Sequence, residues 1–288
     1  MTDIQNYFAP TSLEQAVECL KDGDATILAG GTDLMPQSQA GKLKFKHTLM
    51  NIRHVPEMIG VARQGGDICI GALATITELM ENTLVRRHLS ALAQACDHFA
   101  SDQIRNVATL GGNICNASPA GDTLVPLLVL DAQVELASKV RGRLNWRRLP
   151  LAEFFTGPGK TRRAPNELLV GVRIPLPPEH HVSSFFKFGT RPALDISTIS
   201  IGLGGVMRDG ILSGVHVAFG AVAATPVRAP LTEQALEGRR LDPACIAEAA
   251  NAARDEVTPI DDLRASAWYR KELIHNMTKR MLDHVAHA

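Results

Sequence analysis

Two glycine-bearing segments carry the residue types and spacing that could do chemistry. The first is Ile27-Leu28-Ala29-Gly30-Gly31-Thr32-Asp33-Leu34-Met35, a strand-like run that breaks at a glycine pair and restarts as a helix or turn. Glycine adopts φ > 0 and lets a ligand approach the backbone with no Cβ in the way. Consecutive N–H groups at such a turn form an anion nest matched to a pyrophosphate. A plain strand-to-turn junction without a ligand fits the same residues. The segment is not a Walker A loop, because the Lys-Ser/Thr pair is missing, and not G-x-G-x-x-G, because only Gly30 and Gly31 are present. A carboxylate aimed at a diphosphate would repel it, so Asp33 is expected to cap nearby backbone N–H groups.

The second segment is Thr109-Leu110-Gly111-Gly112-Asn113, followed by Asn116 and by Ser118-Pro119-Ala120-Gly121-Asp122. Small residues, glycines and short amide or carboxyl side chains pack poorly as core. They suit a polar, hydroxyl-rich ligand, with Thr109, Asn113 and Asp122 available to sugar-like hydroxyls. A structural loop with Asx turns and a helix cap at Asp122 remains open beside that reading.

Cysteine and histidine offer less. The five cysteines, Cys19, Cys69, Cys96, Cys115 and Cys245, include no C-x2-C pair, and their odd number does not suggest a disulfide framework. Cys69, in an apolar run, reads as a buried structural thiol. Cys96 and His98 stand two apart on a helical stretch and face different ways. A metal site or iron–sulfur cluster held within this chain is therefore not expected.

The elements that must position these segments can be read from punctuation and periodicity. Thr11-Ser12 caps a helix carrying Leu13, Ala16, Val17 and Leu20 and ended by Gly23. Strands are expected at 25–28, 48–52, 68–73 and 133–137, helices over 76–99 (with a break near Asn82-Thr83) and 123–130. Prolines at 175, 177 and 178 mark a linker running to His180-His181. Beyond it, strands are expected at 185–188, 197–207 and 211–220, the last two joined by the hairpin turn Arg208-Asp209-Gly210. Helices close the chain, most clearly over 245–255 and 265–285. The order is α+β.

Composition narrows the partners. In 288 residues, 30 Lys and Arg balance 30 Asp and Glu, which argues against nucleic acid or a polybasic membrane contact. No apolar run approaches the roughly 20 residues of a membrane span. The opening MTDIQNYFAP has neither the basic nor the apolar region of a secretory signal, so a soluble cytoplasmic protein is expected. With two tryptophans, two tyrosines and nine phenylalanines, the core must be built mainly from aliphatic side chains.

Together the segments resemble a specific family. AGGTDL about 80 residues ahead of QIRNVATLGGNICNASPAGD, then LLVGVRIP and FFKFGTRPALDIS, is similar to the FAD-binding medium subunit of molybdenum hydroxylases. These are the relatives of xanthine dehydrogenase, carbon monoxide dehydrogenase and nicotinate dehydrogenase. The resemblance implies a two-part α/β FAD-binding domain (PCMH-type) over 1–177, then a C-terminal domain over 178–288 of a three-stranded antiparallel sheet and a helical bundle.

It also implies roles. Leu28, Ala29, Gly30, Gly31, Thr32, Asp33, Leu34 and Met35 would wrap the FAD pyrophosphate. Thr109, Leu110, Gly111, Gly112 and Asn113 would meet the ribityl–diphosphate region and flavin, and Asp122 would bind hydroxyls. Leu169 would pack near the isoalloxazine, Lys187 would lie at its polar edge, and the Arg191 to Asp195 loop would lie close to it. The family's substrate is oxidised at molybdopterin in a large subunit. Electrons then cross [2Fe–2S] clusters of a small subunit, reach FAD here and leave for an external acceptor, in a heterohexamer. No catalytic side chain or metal ligand is required of this chain. The clustered cysteines of the hydroxybenzoyl-CoA reductase branch are missing. Two other readings stand beside this one: a free-standing dinucleotide-dependent dehydrogenase and a cofactor-free scaffold subunit.

Overall fold

The computed structural model describes residues 4–191 and 194–287. The chain opens with a small parallel sheet in the order β1-β3-β2: β1 Asn6–Phe8, β2 Ala25–Leu28 and β3 Thr48–Asn51. Helix α1 (Leu13–Cys19) links β1 to β2, its Ser12 hydroxyl accepting from the Gln15 N–H. Helix α2 (Leu34–Gln39) follows β2 after the glycine pair.

A five-stranded antiparallel sheet comes next, in the order β4-β5-β10-β6-β7. Its first hairpin is β4 Val61–Gln64 with β5 Asp67–Gly71. Six helices lie between β5 and β6: α3 Ile76–Glu81, α4 Thr83–His88, α5 Ser90–Asp97, α6 Asp102–Arg105, α7 Leu110–Asn116 and α8 Leu124–Val129. The helical stretch expected over 76–99 breaks at Asn82, as expected, and once more. Thr75 and Glu78 form a capping box on α3, and the Asn82 carboxamide accepts from the Leu84 and Val85 N–H groups, starting α4 afresh. The second break is at Leu89, whose φ of −124° is not helical.

The hairpin β6 Gln133–Val140 with β7 Arg143–Pro150 leads through α9 Leu151–Phe154 and the small hairpin of β8 Phe155–Gly157 and β9 Lys160–Thr161. Strand β10 Leu168–Pro175 then returns to the middle of the sheet, antiparallel to both β5 and β6. Cys69 on β5 is half-buried rather than buried, because it faces the Arg173 side of that sheet.

After residues 176–180 a second sheet begins, with three long antiparallel strands: β11 His181–Phe188, β12 Ile199–Arg208 and β13 Ile211–Gly220. The two-residue strands β14 Val227–Arg228 and β15 Arg239–Arg240 extend β13. Asp209 and Gly210 both have positive φ, 51° and 78°, as a tight right-twisted hairpin turn requires. Helices α10 Pro230–Leu236, α11 Pro243–Glu256 and α12 Ala267–Ala286 cover one face. Ile199, Ile201 and Leu203 pack beneath them with Ile246, Ala249 and Ile274.

The other face of β12 is a glycine stripe, and it joins the two halves. A Cβ at Gly202 would lie 2.9 Å from Val125 Cγ1, and one at Gly204 would lie 2.9 Å from the Val129 carbonyl oxygen. Helix α8 therefore lies directly on the strand, closer than any side chain at those positions would allow. Helix α5 runs beside the edge strand β11: Gln94 Oε1 accepts from the Phe185 N–H at 2.7 Å, and Ser90 Oγ donates to the Ser183 carbonyl at 2.6 Å. Among the described residues, no helix is long and apolar enough to cross a membrane.

Candidate functional site

Gly31 has φ of +77°, so β2 turns sharply there before α2 begins. Gly30 meets a different demand: a Cβ on it would overlap the Val107 carbonyl oxygen. The first glycine turn is thus pressed backbone to backbone against the lead-in to the second. Among the described residues, the N–H groups of Gly30 to Leu34 find no protein acceptor, while the next, Met35, donates to the Gly31 carbonyl at 3.0 Å. A run of free donors on a half-buried turn is a nest for an anion.

The second turn is built differently. Thr109 caps α7, its hydroxyl accepting from the Gly112 N–H at 3.1 Å; Asn113 N–H donates to the Thr109 carbonyl at 3.0 Å. Leu110 and Gly111 donate to the Ala74 and Ala72 carbonyls, and a Cβ at Gly111 would meet Ala72 Cβ at 2.6 Å. Leu110, Gly111 and Thr109 are buried, whereas Gly112 is exposed and Asn113 half-buried. This turn supplies a smooth surface and side chains; its N–H groups from Leu110 to Asn113 are already used.

The turns are tied together by Asn116, which the expected set omits. Its Nδ2 donates to Asp33 Oδ2 at 3.0 Å, and its Oδ1 accepts from Gln37 Nε2 at 3.0 Å. Asp33 does not cap α2, contrary to expectation. Its backbone is already helical, at φ −104° and ψ −41°, which turns the carboxylate away from the first-turn N–H groups. It faces Asn116 instead.

From α7 the polar contacts continue toward the second sheet. Thr123 Oγ1 donates to Asn113 Oδ1 at 2.7 Å. Next to it, Asp122 caps no helix. Asp122 Oδ2 accepts from Lys187 Nζ at 2.7 Å and Oδ1 accepts from Ser197 Oγ at 3.0 Å. Lys187 also donates to the His98 carbonyl at 3.2 Å. The ion pair is enclosed, with 8% of the Lys187 side chain and 12% of the Asp122 side chain exposed. Burial pushes the Asp122 carboxyl above the ordinary range, against the pull of Lys187 and Ser197. Burial likewise pushes the neighbouring Cys96 thiol up to about 12, so it stays neutral.

Lys187 borders a cavity of 480 Å³ lined also by His98, Ser101, Arg105, Gly189 and Asp195. Asp195 holds the adjoining turn by accepting from the Thr190 hydroxyl at 2.8 Å and the Ile196 N–H at 2.9 Å. Pro192 and Ala193, in the loop expected near the flavin, lie outside the described residues. Leu169, on β10, is 3% exposed within the main core. Met35 is exposed on α2, and Leu28, Ala29 and Thr32 are half-buried around the first turn.

The residues present fit FAD. A donor nest for a diphosphate leads, through small residues and amide side chains, to a cation at a cavity. Residues 2–177 match the family described as "FAD binding domain in molybdopterin dehydrogenase". The chain belongs to that family. Residues 184–285 match "CO dehydrogenase flavoprotein C-terminal domain". The xanthine dehydrogenase FAD-binding subunit of Escherichia coli O157:H7 is 36% identical over 291 residues, covering 100% of this chain and 98% of that protein. The nicotinate dehydrogenase FAD-subunit of Eubacterium barkeri is 32% identical, over 96% of this chain and 94% of its own. Among solved structures, carbon monoxide dehydrogenase from Hydrogenophaga pseudoflava superimposes with a TM-score of 0.90 at 29% identity, covering 96% of this chain and 94% of that one. Quinoline 2-oxidoreductase from Pseudomonas putida 86 gives 0.89 at 28%, over 98% and 96%. This FAD-binding chain is a subunit of an oxidoreductase of the molybdenum hydroxylase class. Among its described residues, no three His, Cys, Asp or Glu side chains converge as a metal site.

Proposed function

We propose that this chain holds FAD along the strip from residues 28–35, past Thr109 to Asn113, to Asp122, Leu169 and Lys187. The observation that carries the reading is the run of N–H groups from Gly30 to Leu34 with no acceptor among the described residues, set against a second glycine turn whose N–H groups from Leu110 to Asn113 are all satisfied. The first turn binds the diphosphate through its donors; Gly112 and Asn113 lie beside the ribityl chain. Asp122 enters the site as the partner of Lys187, and the ammonium stabilises negative charge at the flavin's polar edge. Bound FAD accepts electrons singly from iron–sulfur centres and passes them on as a pair.

The chain places the cofactor, shields it and tunes it, within a flavin domain over 1–177 and a C-terminal domain over 178–288. A large molybdopterin-binding subunit oxidises the substrate, and a small [2Fe–2S] subunit delivers the electrons. An external acceptor removes them, in a cytoplasmic heterohexamer with two copies of each chain. Relatives named as the medium chain of carbon monoxide dehydrogenase support this division of labour. The intact turns weigh against a cofactor-free scaffold, and the missing G-x-G-x-x-G weighs against a free-standing dehydrogenase.

The test is electron delivery. When the FAD-loaded chain is mixed anaerobically with a prereduced small [2Fe–2S] subunit, its visible flavin bands should bleach within the mixing experiment. Flavin that stays oxidised beside a reduced cluster protein in a formed complex would refute the proposal.

A further inference from the structure

The Lys187–Asp122 pair has a third member. Ser197 is 1% exposed and donates to Asp122 Oδ1, while Lys187 takes Oδ2, so each carboxylate oxygen has one partner. The hydroxyl is not free to wander. The Thr198 N–H donates to the Phe188 carbonyl at 2.8 Å, carrying the β11–β12 ladder past its ends, and the Thr198 carbonyl accepts from Arg270 Nη1 at 2.8 Å. Ser197 is therefore held by its own neighbours against a carboxylate that belongs to the other half of the chain.

We propose that Ser197 is a positioning residue for the flavin, setting through Asp122 how much of the Lys187 positive charge reaches the cavity. The inference rests on the reading that FAD occupies this strip. With Asp122 ionised, the ammonium is neutralised at contact distance. With Asp122 protonated, it faces the cavity unopposed. A hydroxyl donated to a carboxylate favours the ionised form, and burial favours the neutral one. The other groups around Asp122 are His98, whose charge would favour ionisation, and Cys96, which stays neutral. Ser197 is thus the adjustable contact. Reduced flavin carries more negative charge than oxidised flavin, so an unopposed Lys187 favours reduction. Loss of the hydroxyl should make Asp122 bind its proton about tenfold more tightly and shift the bound flavin to a more positive reduction potential.

The experiment is a spectroelectrochemical titration of the full FAD-loaded chain as wild type, Ser197→Ala, Ser197→Thr, Asp122→Asn and Ser197→Ala with Asp122→Asn. Ser197→Ala and Asp122→Asn should both shift the potential positive, Ser197→Thr should behave as wild type, and the double variant should match Asp122→Asn alone. If Ser197→Ala does not fold, Ser197→Cys, a near-isosteric but weak donor, should shift in the same direction. An unshifted potential in Ser197→Ala, or a shift that adds to that of Asp122→Asn, overturns the proposal. A second readout needs no flavin. The infrared carboxylate band abolished by Asp122→Asn should titrate at higher pH in Ser197→Ala than in wild type, and an unmoved band overturns the coupling. A folded chain that takes up no FAD refutes the proposed function, and the infrared arm then still decides whether Ser197 governs Asp122.

Discussion

One methyl group tests the first turn. In Gly30→Ala the new Cβ meets the Val107 carbonyl, which cannot easily withdraw. Val107 and Ala108 N–H both bind the Ile104 carbonyl, and the Ala108 carbonyl takes the Ile76 N–H at 3.0 Å. Overpacking of this kind costs about 1–3 kcal/mol. We expect a lowered melting temperature and, because the donor run moves with the turn, about a tenfold or greater loss of FAD affinity by calorimetry. Gly112→Ala is the contrast: the site is exposed and its Cβ meets only the Thr109 hydroxyl, at 2.9 Å, so the cost should not exceed about 1 kcal/mol, the worth of the α7 cap that this hydroxyl makes. Glycine and threonine at these positions were legible because the turn demands those residue types locally. Asn116 was visible as one of a polar cluster, yet its partners Asp33 and Gln37 lie 83 and 79 residues away. Ser197 reaches across 75 residues to Asp122. No local pattern encodes such pairings. Asp33 departs from the expected cap for a local reason: capping needs an extended backbone, and the glycine turn delivers Asp33 already helical.

At the scale of elements, the seam between α8 and β12 sets the site, because it lays Asp122 beside Lys187. Gly202→Val would drive a branched side chain into Val125 and Val129. Such overpacking should cost about 1–3 kcal/mol and loosen the seam, read as faster proteolysis at residues 176–180. Thr109→Ala removes the cap of α7 and should cost about 1 kcal/mol in urea unfolding. A third expectation concerns acid. Glu18 on α1 pairs with Lys139 on β6 at 2.6 Å and with Lys21 at 2.9 Å, which holds its carboxyl at about 2. A lowered folded-state value means stability that is present above the ordinary carboxylate range and lost as pH falls through 4.5 toward 2. Glu18→Gln should therefore flatten the unfolding-versus-pH curve only in that window, and high salt should shrink the difference, since the pairs are exposed. The elements themselves were mostly legible: caps, prolines and the Asp209-Gly210 turn act locally. What the periodicity could not give was the return of β10 into the middle of its sheet, between β5 and β6, since strand order depends on partners far away in the chain. The second helix break at Leu89 also escaped it, because no capping residue type marks that position.

For the whole molecule, a balanced charge and the scarcity of metal-ligand spacing looked uninformative in the sequence. In a chain whose redox chemistry comes from a bound cofactor, they are what placement requires: turns, a seam and one enclosed ion pair. The α+β layout, the two glycine turns and the family followed from local signals, and the architecture of the seam followed only from three dimensions. On the proposed function, this chain by itself is the flavin carrier. The purified full chain, folded by circular dichroism, incubated with excess FAD and desalted, should retain visible flavin bands corresponding to one FAD per chain, and Gly30→Ala should retain far less. A folded wild-type chain that emerges colourless, at every FAD concentration offered, would show that this chain does not carry the flavin on its own.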